Sequence, residues 1–388
     1  MSARQQSRSA CAQASADRRR YVQMPKKRPW NSTRVSEMLG IRFPILLGPF
    51  GGGMSSVTLA AAVSNAGGLG SFGANYLPPE QIPGLVHEIA SLTPNPFNIN
   101  LWVPLLGERE AELTATQLEE SAKRLGPYAT PLGIEPHAAP PQSFPDFDEQ
   151  LAALLVARPP VISFVFGVPS EAALAQARAR SIVTIATATT VEEAVVLDAA
   201  GIDIIVASGS DAGGHRGAFL CDVDESLVGT MSLVPQVVDA VHAPVVAAGG
   251  IADHRQIQAA FALGAEGVQI GTAFLVTSES SASAVHKDVL MSARARTTVL
   301  TSVFTGRAAR AVPNAMTRGL KGVESELPGY PLQSGLTLPI RRAATAAGNP
   351  EFVNLWAGQS AALAPSGSAG DYLRRLVDAI DEGSPSER

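Results

Sequence analysis

The stretch SIVTIATATTVEEAVVLDAAGIDIIVASGSDAGGH, residues 181–215, decides the fold. Its apolar, β-branched runs at 182–186 and 202–207 lack polar alternation, as strands buried on both faces require. Between them Thr190 and Glu193 form a capping-box pattern at the head of a helix that Gly201 stops. Strand, helix, strand and a glycine-rich loop make a βαβ unit, which implies a parallel sheet covered by helices.

The same alternation continues on both sides. Further strands are read at 45–47, 69–72, 97–103, 161–166, 244–248 and 267–270, which brings the set to eight. Ser55 and Ser56 cap a helix that stops at Gly67 and Gly68, and Asp253 caps one that stops at Gly264. Eight such units over about 250 residues predict an α/β fold, a closed (β/α)8 TIM barrel. We therefore divide the chain into a leader at 1–29, a barrel at 30–280, and a helical appendage with C-terminal tail at 281–388. The segments 302–309 and 352–362 are read as parts of that appendage, which leans over the barrel mouth. Between 108 and 160, two amphipathic helices flank a proline-rich linker at 136–145.

Composition narrows the functional classes. With 46% hydrophobic and 17% charged residues among 388, the chain can bury a large core. A formal charge of −5 offers no general attraction for nucleic acid or an anionic membrane. Apolar runs such as 241–248 fall far short of the roughly 20 residues a membrane span needs. Two cysteines, Cys11 and Cys221, build no disulfide framework, and no Cys/His spacing suits a metal. A reducing, cytoplasmic compartment is expected. The leader is rich in Ser, Gln and Arg, with Asp17 as its only acid; it suits either a targeting peptide or an extension ahead of a start at Met24. The oligomeric state stays open, a homodimer included.

In a barrel of this kind the chemistry sits on the loops after the strands, and phosphate binds after the seventh and eighth. Here the sixth strand ends in Ser208, Gly213, Gly214 and His215, the seventh in Gly249 and Gly250, and the eighth in Gln269, Ile270, Gly271 and Thr272. Glycines let backbone N–H groups approach an anion closely, so three such turns on one rim read as a phosphate cradle. Thr272 adds a hydroxyl. The loop from Gly48 to Ser55 is poor in functional side chains but suited to lie against a flat ring. Asn100, a polar amide inside the apolar third strand, either satisfies a neighbouring backbone or holds a cofactor edge. Of the six histidines only His215 lies in a glycine-rich rim loop, where it either moves protons or steadies the loop; His286 falls in a polar segment.

These residues resemble the nitronate monooxygenases. The resemblance spans about residues 41–359 and rests on ordered motifs: Pro96-Phe97-x-x-Asn100, Ser163-Phe164-Val165-Phe166-Gly167, Ala212-Gly213-Gly214-His215 and Ala247-Ala248-Gly249-Gly250-Ile251. Gln269 to Thr272, Phe304-Thr305-Gly306-Arg307 and Leu355-Trp356-Ala357-Gly358-Gln359 complete it. The resemblance implies non-covalent FMN, held by residues matching Asn100, Gly213, Gly250 and Gln269 to Thr272, and oxidation of alkyl nitronates with O2. Two departures stand out. Members that also accept neutral nitroalkanes carry His where this chain has Val165, so nitronate-only oxidation is expected. In the sixth strand the family commonly has Gln, and this chain has Ser208. The rivals are an FMN-dependent enoyl-thioester reductase that uses NADH, which shares the Gly-Gly-His, and a flavin-binding protein without turnover.

Overall fold

The computed structural model describes residues 29–105, 113–135 and 145–382. The leader up to residue 28 and most of the proline-rich linker lie outside the described residues.

Eight parallel strands form the barrel: β1 (Ile45–Leu47), β2 (Gly70–Gly73), β3 (Phe97–Trp102), β4 (Val161–Val165), β5 (Val183–Ala188), β6 (Ile204–Ser208), β7 (Val245–Ala248) and β8 (Gly267–Ile270). β8 pairs with β1 in the register Ile45 to Val268, and a parallel bridge from Leu46 to Leu69 joins β1 to the start of β2. The sheet therefore closes. Alternation along each strand divides the core in two: Ile204 and Val206 of β6 pack inside the barrel with Leu46, Ile185 and Val246, while Ile205 and Ala207 pack outward under the helices. The helix Arg34–Leu39 plugs the N-terminal end, its Val35 and Leu39 joining the inner cluster.

The helix caps follow the sequence with two changes. Ser56 alone caps the helix Val57–Asn65; the Ser55 hydroxyl instead donates to Phe50 O at 2.8 Å and accepts from Gly73 N–H at 3.1 Å. Thr190 caps the helix Val191–Ala199, but Glu193 does not return to it. One carboxylate oxygen of Glu193 accepts from Thr189 N–H and hydroxyl at 2.6 and 2.7 Å, and the other from Phe219 and Leu220 N–H at 2.6 and 3.1 Å. A buried carboxylate gains more from four donors than from one cap, and here it ties the loop after β6 to the loop after β5.

The appendage carries the helices Ala284–Leu290, Leu332–Ala346 and Ala369–Glu382, but neither 302–309 nor 352–362 is among them. Gly306 turns at φ +79°, where a Cβ would meet the backbone of Gly329 at 2.4 Å, and a helix cannot pass. Trp356 forms an antiparallel bridge with Ala311, and Val312 N–H donates to Leu355 O at 2.8 Å. Chain pairing thus claims the backbone groups that a helix would use. A small antiparallel sheet of Val299–Thr301, Ala309–Ala311 and Gly214–His215 fastens the appendage to the loop after β6. The last helix, Ala369–Glu382, returns to the barrel shell, where Leu373 and Leu376 join the outer core and the Tyr372 hydroxyl donates to Ala252 O at 2.6 Å. Among the described residues no helix is long and apolar enough to cross a membrane.

Candidate active site

A cavity of about 230 Å³ opens at the C-terminal ends of the strands, between the barrel rim and the appendage. Gly48, Asn100, Ser208, Gly213, Gly214, His215, Gly249, Gly250, Gln269, Gly271 and Thr272 all line it. Ile270 does not: its side chain is fully buried in the outer core, and only its carbonyl is used, accepting from Gly48 N–H at 2.8 Å. Strand alternation explains the exception, since Gln269 and Ile270 must point to opposite faces.

The glycine turns leave room and donors. Gly249 and Gly250 have φ of +108° and +67°, and a Cβ on Gly213 would meet Gly358 N at 2.4 Å. The N–H groups of Gly250 and Ile251 have no acceptor among the described residues. Thr272 accepts from Gly358 N–H at 2.9 Å, which leaves its own proton to donate. Unpaired donors around a glycine hollow, with no Asp or Glu among the described residues that line the cavity, fit an anionic group such as a phosphate.

Asn100 satisfies a neighbouring backbone and also lines the cavity. Its amide donates to Ser163 O and Oγ at 3.1 and 3.0 Å, which orients the side chain and leaves the carbonyl oxygen as an acceptor at the cavity. Behind it, Asn98 donates to Ser71 and Ser163 hydroxyls, so Ser163 organises both amides.

His215 is fixed from two sides. The strand pair with Ala309 holds its backbone, and Trp102 and Trp356 flank its ring with centroids 5.4 and 5.5 Å away. Nε2 lies 2.9 Å from the Thr305 hydroxyl, which itself donates to Arg307 O at 3.1 Å. A hydroxyl has one proton, so Thr305 accepts from His215, and Nε2 carries the hydrogen. Burial, with Arg307 and Arg341 adding repulsion, pulls the imidazole pKa down to about 3. The ring is neutral at physiological pH.

Around it stands a wall of aromatic and cationic side chains. Phe166, at the end of β4, adopts φ +72°, a left-handed conformation that costs a bulky residue about 1–2 kcal/mol. That turn puts its ring 3.9 Å from the Arg307 guanidinium, with Tyr330 at 4.1 Å on the same cation. Val165 also lines the cavity, and its Cγ2 lies 2.9 Å from where a Cβ on Gly217 would stand. Tyr76 pairs with Tyr330, and burial raises its hydroxyl pKa. Arg341, from the helix Leu332–Ala346, also lines the cavity. It donates to Thr337 Oγ1 at 3.1 Å and Ser334 O at 2.8 Å, and burial lowers its pKa to about 10, so it stays charged at neutral pH.

Two buried residues support the site from behind. Arg216, 1% exposed, donates to Ser208, Gly209 and Ser226 carbonyls and so holds the β6 loop in shape. His286 is 3% exposed, not in a polar surface segment as its neighbours in sequence imply. Its Nε2 donates to Trp356 O at 2.9 Å, and burial pulls its pKa to about 4. Sequence reasoning passed over Tyr76, Trp102, Thr305, Arg341 and Trp356 as site residues. Thr305 and Trp356 did lie in family motifs; Arg341 carries no local signal, being one cation on a long helix.

Residues 32–379 match the nitronate monooxygenase family. The chain belongs to that family. A probable nitronate monooxygenase of Staphylococcus aureus (strain Newman) is 38% identical over 354 residues, covering 91% of this chain and 98% of the relative. One from Staphylococcus haemolyticus (strain JCSC1435) is 39% identical over 353 residues, 90% and 98% of the two chains. Among solved structures, nitroalkane oxidase from Streptomyces ansochromogenes superposes with a TM-score of 0.81 at 37% identity, covering 90% of this chain and 98% of its own. FabK from Thermotoga maritima gives 0.70 at 29% identity, with coverage of 90% and 96%. This nitronate monooxygenase family member is thus a TIM-barrel oxidoreductase of a flavin-dependent family, and the glycine hollow with its unpaired donors fits the phosphate of such a cofactor.

Proposed function

We propose that this enzyme binds FMN at the barrel rim and oxidises alkyl nitronates with O2, taking the substrate as a preformed anion. FMN, when bound, supplies the two-electron chemistry at carbon and the reaction with O2. Gly250 and Ile251 N–H and the Thr272 hydroxyl would hold its phosphate, and the Asn100 carbonyl oxygen a donor on its ring. FMN is favoured over FAD because the rim offers one monophosphate hollow and the sequence no dinucleotide fingerprint.

What supports the nitronate-only reading is the lining of the cavity: among the described residues it holds no Asp, Glu or Lys to take a carbon-bound proton, and His215 is its one imidazole. Val165 cannot take that proton. His215 is neutral, yet a base whose conjugate acid has a pKa of about 3 is weak, far from the match to working pH that general-base catalysis favours. Trp102, Trp356 and Tyr330 surround the imidazole, with ring centroids 5.4, 5.5 and 6.2 Å away.

Oxygen uptake by the flavin-loaded enzyme tests this reading, with ethyl nitronate beside freshly dissolved nitroethane. Rapid uptake with the nitronate and slow uptake with the neutral form is expected. Consumption of NADH with a crotonyl thioester, and none of O2 with nitronate, would instead support an enoyl-thioester reductase. Flavin that stays oxidised with every donor would support a binding protein.

A further inference from the structure

Four arginines stand near the site, and three are accounted for within the protein: the Arg307 guanidinium lies 3.9 and 4.1 Å from the ring centroids of Phe166 and Tyr330. Arg216 donates to three backbone carbonyls and lies in the field of Glu193 and Asp211. Arg310 donates to Ser210 O and lies in the field of Asp211. Arg341 differs. Its acceptors are neutral groups of its own helix, Thr337 and Ser334, and Nη1 has none among the described residues. The charged and titratable groups that act on it are Tyr76 and Arg342; it in turn acts on His215, which also feels Arg307. No carboxylate stands among them, and none lines the cavity among the described residues. A part-buried cation at a cavity without a counter-charge among the described residues gains when an anion enters.

We propose that Arg341 reads the substrate's negative charge: its guanidinium takes the O–N–O group of the nitronate and sets the preference for the anion over the neutral nitroalkane. This rests on the nitronate reading above. A nitronate is planar and shares one negative charge over two oxygens, the pattern a guanidinium edge binds best. The neutral nitro group presents the same two oxygens without the net charge. In a cavity walled by Trp102, Phe166 and Trp356, the difference between the two forms is larger than in water. Arg341 comes from the appendage, whereas the glycine hollow for phosphate lies on the β6, β7 and β8 loops, so the cation does not duplicate that hollow. Arg341 is thus a substrate-binding residue and moves no proton, since its pKa of about 10 keeps it charged at working pH.

The test compares the FMN-loaded wild type with Arg341→Gln and Arg341→Lys. Calorimetric binding of nitrate, a planar anion with the same O–N–O edge, is measured beside binding of neutral nitroethane, and kinetics follow with ethyl nitronate. Nitrate affinity should fall about tenfold or more in Arg341→Gln and recover in part in Arg341→Lys, with nitroethane affinity unchanged in both. KM for ethyl nitronate should rise by a similar factor, with a smaller change in kcat. Equal nitrate affinity in wild type and Arg341→Gln would overturn the assignment. So would loss of flavin in both variants, which would place the cation on the cofactor. A wild type that binds nitrate through Arg341 yet oxidises no nitronate would leave the anion site standing and remove the nitronate reading alone.

Discussion

His215 donates its Nε2 hydrogen to the hydroxyl of Thr305 across 2.9 Å, joining the loop after β6 to the appendage. Ninety residues of sequence separate the two side chains, and the small sheet that pairs His215 with Ala309 brings them together. Because the Thr305 hydroxyl donates its hydrogen bond to Arg307 O, the imidazole is held in one tautomer.

Thr305→Val should therefore leave a part-buried N–H without its acceptor. We expect a loss of about 1–3 kcal/mol in unfolding free energy, the usual cost of such an orphaned donor, and near-complete recovery in Thr305→Ser. Urea unfolding of the flavin-loaded protein measures it. A Thr305→Val variant as stable as wild type would mean that His215 finds another partner.

Two histidines that fold in the neutral form make stability depend on pH. Their folded pKa values, about 3 for His215 and about 4 for His286, lie below the ordinary value of 6.5. The unfolded chain then binds protons first, so this stability is present above pH 6.5 and is lost as pH falls toward the folded values. At pH 5 each should cost about 2 kcal/mol. Melting temperatures from pH 7.5 to 5 should drop, and more shallowly in His286→Gln. An equal slope in that variant would show that His286 does not contribute.

Gly250→Asp should empty the flavin site without unfolding the barrel. The position has φ +67°, a Cβ there would stand 3.0 Å from Asp211 Cβ, and the new carboxylate would oppose a phosphate. The ratio of flavin to protein absorbance reports the outcome, with circular dichroism as the control for folding. Full occupancy would put the phosphate elsewhere.

Val165→His should add oxidation of neutral nitroalkane. Val165 lines the cavity, so an imidazole in its place is expected to face the substrate space. Activity with nitroethane should rise with pH through the imidazole range, because the base works only when unprotonated. Oxygen uptake with fresh nitroethane beside its pre-ionised form measures this. Equal rates for the two forms in wild type, unchanged by His215→Asn, would remove the account of a missing base.

The barrel was legible because its signals are local. Runs such as 202–207 and 244–248 can only be doubly buried strands, and Gly201 and Gly264 mark helix ends by a backbone need that few other residues meet. The glycine turns on the rim were legible for the same reason, as was the place of His215 among them. The Ile270 side chain lies off the cavity because a motif names neighbours along the chain, whereas a strand sends neighbouring side chains to opposite faces.

The sequence by itself determined the eight-fold strand and helix order, the rim on which the glycines gather, and the family that those motifs spell. Tertiary structure alone decided what surrounds His215. Thr305, Trp356 and Arg341 reach it from separate parts of the appendage, through a strand pair, a bridge and a helix whose partners lie far off in sequence. It also decided the protonation of His215 and His286 and the lack of a counter-charge at Arg341 among the described residues. Burial and the field of distant charges set those properties, and both are sums over the folded neighbourhood that no short stretch of chain contains.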